Sequence, residues 1–514
     1  MLPQITTKKE RNVLWLITGL ITALLVVATV FQFYYLLLLP LVVGLLLLAF
    51  LYTEKSLLFF GALAPLSINF DNVGGGLGLA LPTEPLFILM FLFITFRWLI
   101  KPDFRLEMLS HPISIAILAY LLWMWIATIF STMPLVSVKF VMARTWYIVL
   151  FYFTCLSIFS NFKNIHWFFK AFTFTTLGLV IFTLTKHAAD GFIRSSSYGI
   201  SWPFFPDHGM YAAAIAFAVS ILFIYAFAGR HFGISLPFAP FLVFLLAILI
   251  FGIVVSYTRA TWLSLVAAIG IYVVLKMHIK FSWILLVLFG AFAYGIINQE
   301  KILYDLEANK QGSSDDIEGH VKSVSNVTTD PSNLERINRW KCAARMVSER
   351  PLFGFGPGTY VFKYSPFQKS DEITLISTFA GDMGDAHSEY FSAMSESGYM
   401  GLLTWIGIVL TTLGVSFKIY YREKPGKVRY TLLMAILGLI TYYVHAFLNN
   451  YSQYDKIAVP LWTFTAVITA LDLYHRETPS DVPCDIRSGA PPEFCSDLRS
   501  VTEGARDERA VSAS

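Results

Sequence analysis

The sequence predicts an all-α polytopic membrane protein, a transmembrane helical bundle of about 12–14 spans with one large, mainly helical extracytoplasmic loop. Three observations carry that prediction. Of 514 residues, 56% are hydrophobic and only 14% charged, whereas an average soluble domain has about 45–50% apolar and about 25% charged residues. The excess is gathered into apolar runs of roughly 17–25 residues, each enough to cross about 30 Å of hydrocarbon at about 1.5 Å per residue. One long polar insertion, residues 298–397, interrupts these runs, and at roughly 100 residues it is too long to be an idle connector.

Hydropathy marks about fourteen candidate spans. They begin near Val13, Phe33, Ser56, Glu84, Pro112, Thr145, Trp167, Gly209, Pro237, Arg259, Phe281, Gly398, Arg429 and Ile457. The first follows Lys8, Lys9 and Arg11 as a secretory signal would, but it lacks a small-x-small cleavage site and further spans follow, so it reads as a retained helix. The run at Ser56 is short and broken by Pro65, which suggests a half-helix. Residues 1–297 form the N-terminal spans and 398–475 the C-terminal ones. Residues 476–514, rich in Pro, Ser and charge, cannot bury a core and read as a disordered cytoplasmic tail.

Basic residues orient the bundle, because they are largely retained on the cytoplasmic side. Alternate connections carry Arg97, Lys101 and Arg105, then Lys276 and Lys280, then Lys418, Arg422, Lys424, Lys427 and Arg429. The intervening ones, 69–83 and 449–455, are almost free of positive charge and face outward, and the same alternation puts the polar insertion outside. The net charge of +4 is modest and implies no nucleic acid. Cys155, Cys342, Cys484 and Cys495 show no metal-ligand spacing and no disulfide framework.

Within the insertion, Pro331 to Glu335 reads as a helix start, with Ser332 as N-cap and Glu335 completing a capping box, and Pro351 stops the helix after Glu349. At about 100° per residue Arg336 and Arg339 share a face, and Arg350 returns to nearly the same bearing. Ile337, Trp340 and Ala344 form a neighbouring apolar face suited to lie on the membrane domain, while Lys341 and Arg345 point to solvent. Three guanidinium groups in a row suit a phosphate or diphosphate; a merely solvated basic face is the competing reading. The Gly354-Phe355-Gly356-Pro357-Gly358 run lacks a strand-to-helix setting and loses an amide donor at Pro357, so it reads as a tight turn, not a nucleotide loop.

Downstream, Asp385-Ala386-His387-Ser388-Glu389 leads directly into a span. Histidine transfers protons near neutrality, so His387 suits deprotonation of an acceptor hydroxyl, with Asp385 or Glu389 holding its other nitrogen. An ordinary loop histidine is the competing reading. With no second histidine near, no metal is expected here, and no cofactor is implied. Arg259 interrupts two apolar runs at the outer membrane edge, where it either holds an anionic headgroup or snorkels to water. Arg144 and Arg194 are weaker candidates of the same kind, and His208 reads as a helix-start residue.

Three motifs together resemble the O-antigen ligase and polymerase family: Ser256 to Leu263 (SYTRATWL), Arg336 to Tyr360 (RINRWKCAARMVSERPLFGFGPGTY) and His387 to Leu403 (HSEYFSAMSESGYMGLL). Ser388 departs from the pattern, since the family often has Asn after the histidine. The resemblance implies a metal-independent, inverting transferase of the bacterial inner membrane. Its donor would be a polyisoprenoid-diphosphate-linked glycan and its acceptor a lipid- or protein-linked hydroxyl. By the same resemblance, His387, Arg336 and Arg339 are catalytic; Arg259, Arg336, Arg339 and Arg350 bind the diphosphate; Asp385 and Glu389 support. A repeat-unit polymerase or a protein O-glycan ligase fits the same motifs. A solute or bicarbonate transporter and a structural envelope component are the readings from other classes.

Overall fold

The computed structural model describes residues 51–70, 79–100, 106–298, 331–373 and 384–476, with residue 377 and scattered positions before residue 51. The candidate spans near Val13 and Phe33, much of the first part of the polar insertion, and the tail from residue 477 onward lie outside these residues.

The short α1 (Thr53–Ala62) ends in a 3-10 turn at Ala64–Leu66, which contains Pro65 as the broken-helix reading expects. Then β1 (Ile68–Phe70) and β2 (Leu79–Leu81) pair antiparallel with Asn69 opposite Ala80. There follow α2 (Thr83–Ile100), α3 (Pro112–Ile129), α4 (Pro134–Ile158) and α5 (Phe162–Ala189). Next come α6 (His208–Ala228), α7 (Ala239–Val255), α8 (Arg259–Lys276) and α9 (Phe281–Ile297). The insertion contributes α10 (Pro331–Glu349), and α11 (Glu389–Arg422), α12 (Lys427–Leu448) and α13 (Asp455–Tyr474) close the fold. Among the described residues ten helices, α2 to α8 and α11 to α13, are long and apolar enough to cross a membrane. The protein is an all-α integral membrane bundle.

One boundary differs from expectation. The span anticipated at Thr145 begins at Pro134, because hydropathy treats Lys139 and Arg144 as a border, whereas Arg144 is buried inside the bundle. It can be buried because a carboxylate meets it there.

The core lies where α6, α12 and α13 cross, each buried over most of its length. Close approach of these helices depends on small residues. A Cβ on Gly438 of α12 would lie 2.7 Å from the Phe464 ring of α13 and 2.8 Å from Ser220 Oγ of α6. At one end of the bundle, β1 is tied to α13 through buried charge. Lys456 Nζ donates to Ser67 Oγ and Asn69 Oδ1, both at 2.7 Å, and Ser67 and Thr83 donate to Asp455 Oδ2, both at 2.6 Å. The same end carries the turn between α3 and α4, which bonds to the insertion through Thr132 and Phe355, and the turns between α7 and α8 and between α12 and α13, which bond to the start of α6 through Thr258 with His208 and Tyr451 with Asp207. At the opposite end Asp472 gathers His111, Arg422 and Arg476.

Candidate active site

The site is built around a break in α11. Gly398 has φ 72° and ψ −174°, so Glu389–Ser397 is a half-helix and the full-length span begins at the glycine. A broken helix must satisfy the carbonyls it frees. Those of Ser395 and Glu396 accept from the amides of Phe355 and Gly356, at 3.1 and 2.8 Å, and that of Ser397 accepts from Trp123 Nε1 at 2.8 Å. The glycine-rich run is therefore the tight turn anticipated, and its role is to cap the half-helix. Only glycine fits where it docks: a Cβ on Gly356, at φ 114°, would sit 2.0 Å from Ser131 Oγ.

At the other end of the half-helix, Ser388 is the N-cap, its hydroxyl accepting from Phe391 N at 3.4 Å. His387 stands just before it with φ 47°, a conformation unusual for a residue with a Cβ. Asp385 imposes that conformation: its Oδ1 accepts from His387 N at 2.9 Å and lies 3.1 Å from Nδ1. Such a contact holds the proton on Nδ1 and leaves Nε2 to act as base. The side chain keeps 38% of its surface exposed, yet the crowd of protein atoms around it is enough to hold its pKa below the ordinary histidine value. Burial is the largest cause, Arg336 and Arg339 add to it, and Asp385 opposes it. Neutral imidazole is thus favoured near neutrality.

Helix α10 lies across this end of the bundle on its apolar face, as anticipated: Trp340 stacks on Phe391 at 5.2 Å and meets Phe447 edge-on at 5.1 Å. Docking there brings Arg336 and Arg339 close enough to His387 to lower its basicity. Arg336 Nε donates to the Leu448 carbonyl at the end of α12, at 3.2 Å. One turn earlier on α12, His445 Nδ1 lies 3.2 Å from Thr261 Oγ1 of α8, whose first residue is Arg259. The end of α12 therefore links the helices that carry Arg336 and Arg259.

Several expectations for α10 need correction. The helix begins at Pro331, so Ser332 lies within it. The Glu335 carboxylate takes Arg339 Nε at 2.7 Å and the Ser377 hydroxyl. Arg339 is 2% exposed, lies 4.0 Å from the Tyr364 ring centre, and stays charged because Glu335 and Tyr364 outweigh the burial that opposes it. Lys341 and Arg345 do not point to open solvent; both reach Glu372, Arg345 through both terminal nitrogens. Arg350 falls just past the helix and lies exposed over the Phe355 ring at 5.1 Å. Glu389 does not hold His387: its Oε1 accepts from Tyr442 Oη at 2.9 Å and Ser452 N at 2.7 Å, and Oε2 faces Arg144 at 3.8 Å. His208 is the first residue of α6, capped by Asp207, as the sequence suggests.

Between α3, α4, the half-helix and the α12–α13 turn lies a cavity of about 350 Å³. Arg144, Asp385, Glu389 and Glu396 are among its lining residues. Arg144, ranked low from sequence, is central: its Nη1 donates to the Ser452 carbonyl at 2.8 Å and to the Ser452 hydroxyl. Glu396 was not anticipated at all; the only signal for it is an acid immediately before a span. Among the described residues, no three His, Cys, Asp or Glu side chains are placed to share a metal ion.

Fold and site together define a polytopic membrane protein with an arginine and histidine site gathered at one end of the bundle. A family model described as O-antigen ligase matches residues 241–406, about a third of the chain. The stretch includes Arg259, α10, His387 and the break in α11, and it supports placing the chain in the O-antigen ligase family, whose general character is that of a membrane glycosyltransferase. No curated protein matches the chain.

Proposed function

We propose that the protein transfers a glycan from a polyisoprenoid-diphosphate carrier to a hydroxyl acceptor at the outer face of the inner membrane, as an O-antigen ligase would. The observation that carries this reading is the half-exposed His387 held at Nδ1 by Asp385, with its basicity lowered by burial and by Arg336 and Arg339 of α10. His387 Nε2 takes the proton of the acceptor hydroxyl while that oxygen bonds to the anomeric carbon of the donor. The bond from that carbon to the diphosphate oxygen breaks, and its electron pair leaves on the diphosphate. Attack opposite the leaving group inverts the anomeric centre. Arg336 and Arg259 stabilise the charge that develops on the diphosphate, and Asp385 stabilises the imidazolium until its proton passes to water. Arg339, bound to Glu335 and Tyr364, adds positive potential and keeps α10 in place.

Two further observations support an enzyme over a carrier. A carrier needs a polar route through the bundle, and in the core Phe217 of α6 packs on Phe464 of α13 and on Tyr442 of α12, with ring centres 5.0 and 6.0 Å apart. The buried charges of the site also gather at one end. Reconstituted protein supplied with a lipid-diphosphate glycan and acceptor should release free polyisoprenoid diphosphate. His387→Ala should lower the rate by about 10²–10⁴-fold, and Arg336→Ala and Arg259→Ala by about 10²–10³-fold each, with the protein still in the membrane. Wild-type turnover in all three would refute the assignment, and solute flux without lipid release would favour a carrier.

A further inference from the structure

Helix α6 starts at the site end, where the His208 carbonyl accepts from Thr258, and its 21 residues carry the chain to the opposite end. There a 3-10 turn, Gly229–Phe232, follows, and Gly233 closes it in the left-handed region at φ 78°. The connection from this turn into α7 folds against the first turn of α12 and encloses a second cavity, of about 250 Å³. It shares no lining residue with the cavity beside His387.

The polar side chains around it are Arg230, His231, Ser235 and Tyr430, and no carboxylate joins them. All four can donate a hydrogen bond, yet among the described residues none of these side chains makes a hydrogen bond or an ion pair. Nor does the local sequence offer a counter-charge, since no acid stands between Asp207 and Glu300. Such a guanidinium attracts an anion, and its planar fork suits the oxygens of a phosphate group.

The apolar lining indicates what that phosphate is attached to. Phe227 and Leu236 border the cavity and are exposed on the outside of the bundle. The exposed Phe238, Phe241 and Phe244 follow, the first two with ring centres 5.1 Å apart. The span that contains α7 is the most apolar of those described and is mostly unburied, so it lies against hydrocarbon. A free ion gains nothing from such a surface, whereas an anion carried on acyl chains can lay them along it. Behind the cavity three helices are already bonded together: the Tyr225 hydroxyl lies 2.6 Å from His166 Nδ1 of α5, and His166 Nε2 lies 3.1 Å from Thr431 Oγ1 of α12. His231 packs its ring on Tyr430, with centres 4.5 Å apart. The chamber is therefore preformed.

We infer that this cavity seats the phosphate headgroup of an anionic phospholipid, with Arg230 and His231 donating to the phosphate and the acyl chains lying along α7. Lys424 and Lys427, just ahead of Tyr430 in the chain, add positive charge that favours an anionic over a zwitterionic lipid. The site is independent of the transferase reading, because it lies at the other end of the bundle from His387.

Native mass spectrometry of the full-length protein in detergent resolves bound lipid directly. The probes are dioleoyl phosphatidylglycerol, dioleoyl phosphatidylcholine and inorganic phosphate. Wild type should hold the phosphatidylglycerol several-fold more tightly than the phosphatidylcholine, and excess inorganic phosphate should not displace it. Arg230→Gln should weaken the phosphatidylglycerol about fivefold. His231→Phe, which keeps a ring on Tyr430 but removes the N–H donors, should weaken it about threefold. Lys276→Gln removes an exposed charge at the same end but outside the lining, and should change binding by less than about twofold. Equal affinity for the two lipids, wild-type binding in both Arg230→Gln and His231→Phe, or as large a loss in Lys276→Gln as in Arg230→Gln would each overturn the site. Displacement by inorganic phosphate would overturn the lipid and leave a site for the free anion.

Discussion

His387 works under opposed influences, and their balance can be measured. Burial, Arg336 and Arg339 press its pKa downward, while Asp385 pulls it up. Protonation silences a base, so the transfer rate should rise with pH through the histidine's pKa and level off above it. The midpoint of that acid limb is expected below the ordinary value of about 6.5. Removing a positive neighbour raises the pKa, so Arg336→Gln should move the limb to higher pH. Removing the negative one lowers it, so Asp385→Asn should move the limb to lower pH while also depressing the plateau through loss of tautomer control. A wild-type midpoint above 6.5, or a shift of both variants in the same direction, would show that another group titrates. The pairing of His387 with Asp385 was readable from their spacing, because a short loop acid two residues away reaches back easily to the backbone and ring. The alternative partner, Glu389, was equally close in sequence; what separates the two is that Glu389 already belongs to the helix and points inward to Arg144.

At the scale of elements, the break in α11 is held by a wall of backbone. A Cβ on Gly398 would lie 2.1 Å from the Leu352 carbonyl oxygen, and that residue is in the left-handed region besides. Gly191 offers the comparison: φ is +68°, but nothing lies within 4 Å of its absent Cβ. Gly191→Ala should therefore cost only the conformational strain, about 1–2 kcal/mol. Gly398→Ala must also displace the chain at Pro351 and Leu352, and should cost about 3 kcal/mol or more. Thermal unfolding of the two variants in one detergent measures the difference, and equal losses would mean that the wall yields freely. The sequence placed this span start correctly at Gly398, since the hydropathy changes there. It could not show the half-helix ahead of it, whose Glu389 and Glu396 look like loop acids until their partners are known. The same limit applies to α10. Its length and its apolar face followed from periodicity and Pro351, but the buried i,i+4 ion pair of Glu335 with Arg339 did not, because the spacing alone does not say which side chains are withdrawn from water.

Across the whole molecule, the Arg144–Glu389 pair joins α4 to the half-helix and, through Ser452 and Tyr442, to α12 and the turn that leads into α13. It was the part of the site least visible in the sequence. A hydropathy scale reads an arginine among apolar residues as the border of a span, and only a carboxylate arriving from a distant part of the chain lets that arginine be buried. Both side chains are nearly inaccessible, at 5% and 7% exposure, so the pair is held in surroundings of low dielectric. Removing one member leaves the other buried without its counter-charge, a loss of about 3–5 kcal/mol in comparable cases. Arg144→Met and Glu389→Gln should each destabilise the protein on that scale, less whatever the surviving hydrogen bonds to Ser452 or Tyr442 retain. The double variant removes both charges, so its loss should fall short of the sum of the single losses by about 1–3 kcal/mol. Denaturant unfolding in micelles provides the four stabilities of the cycle. Additive losses would mean that the two groups, 3.8 Å apart, are held independently by their other partners and that α4 is not fastened to the half-helix through charge. Whatever the coupling, the double variant should not regain full transfer, because both side chains also line the cavity beside His387 and their charges shape what it can hold.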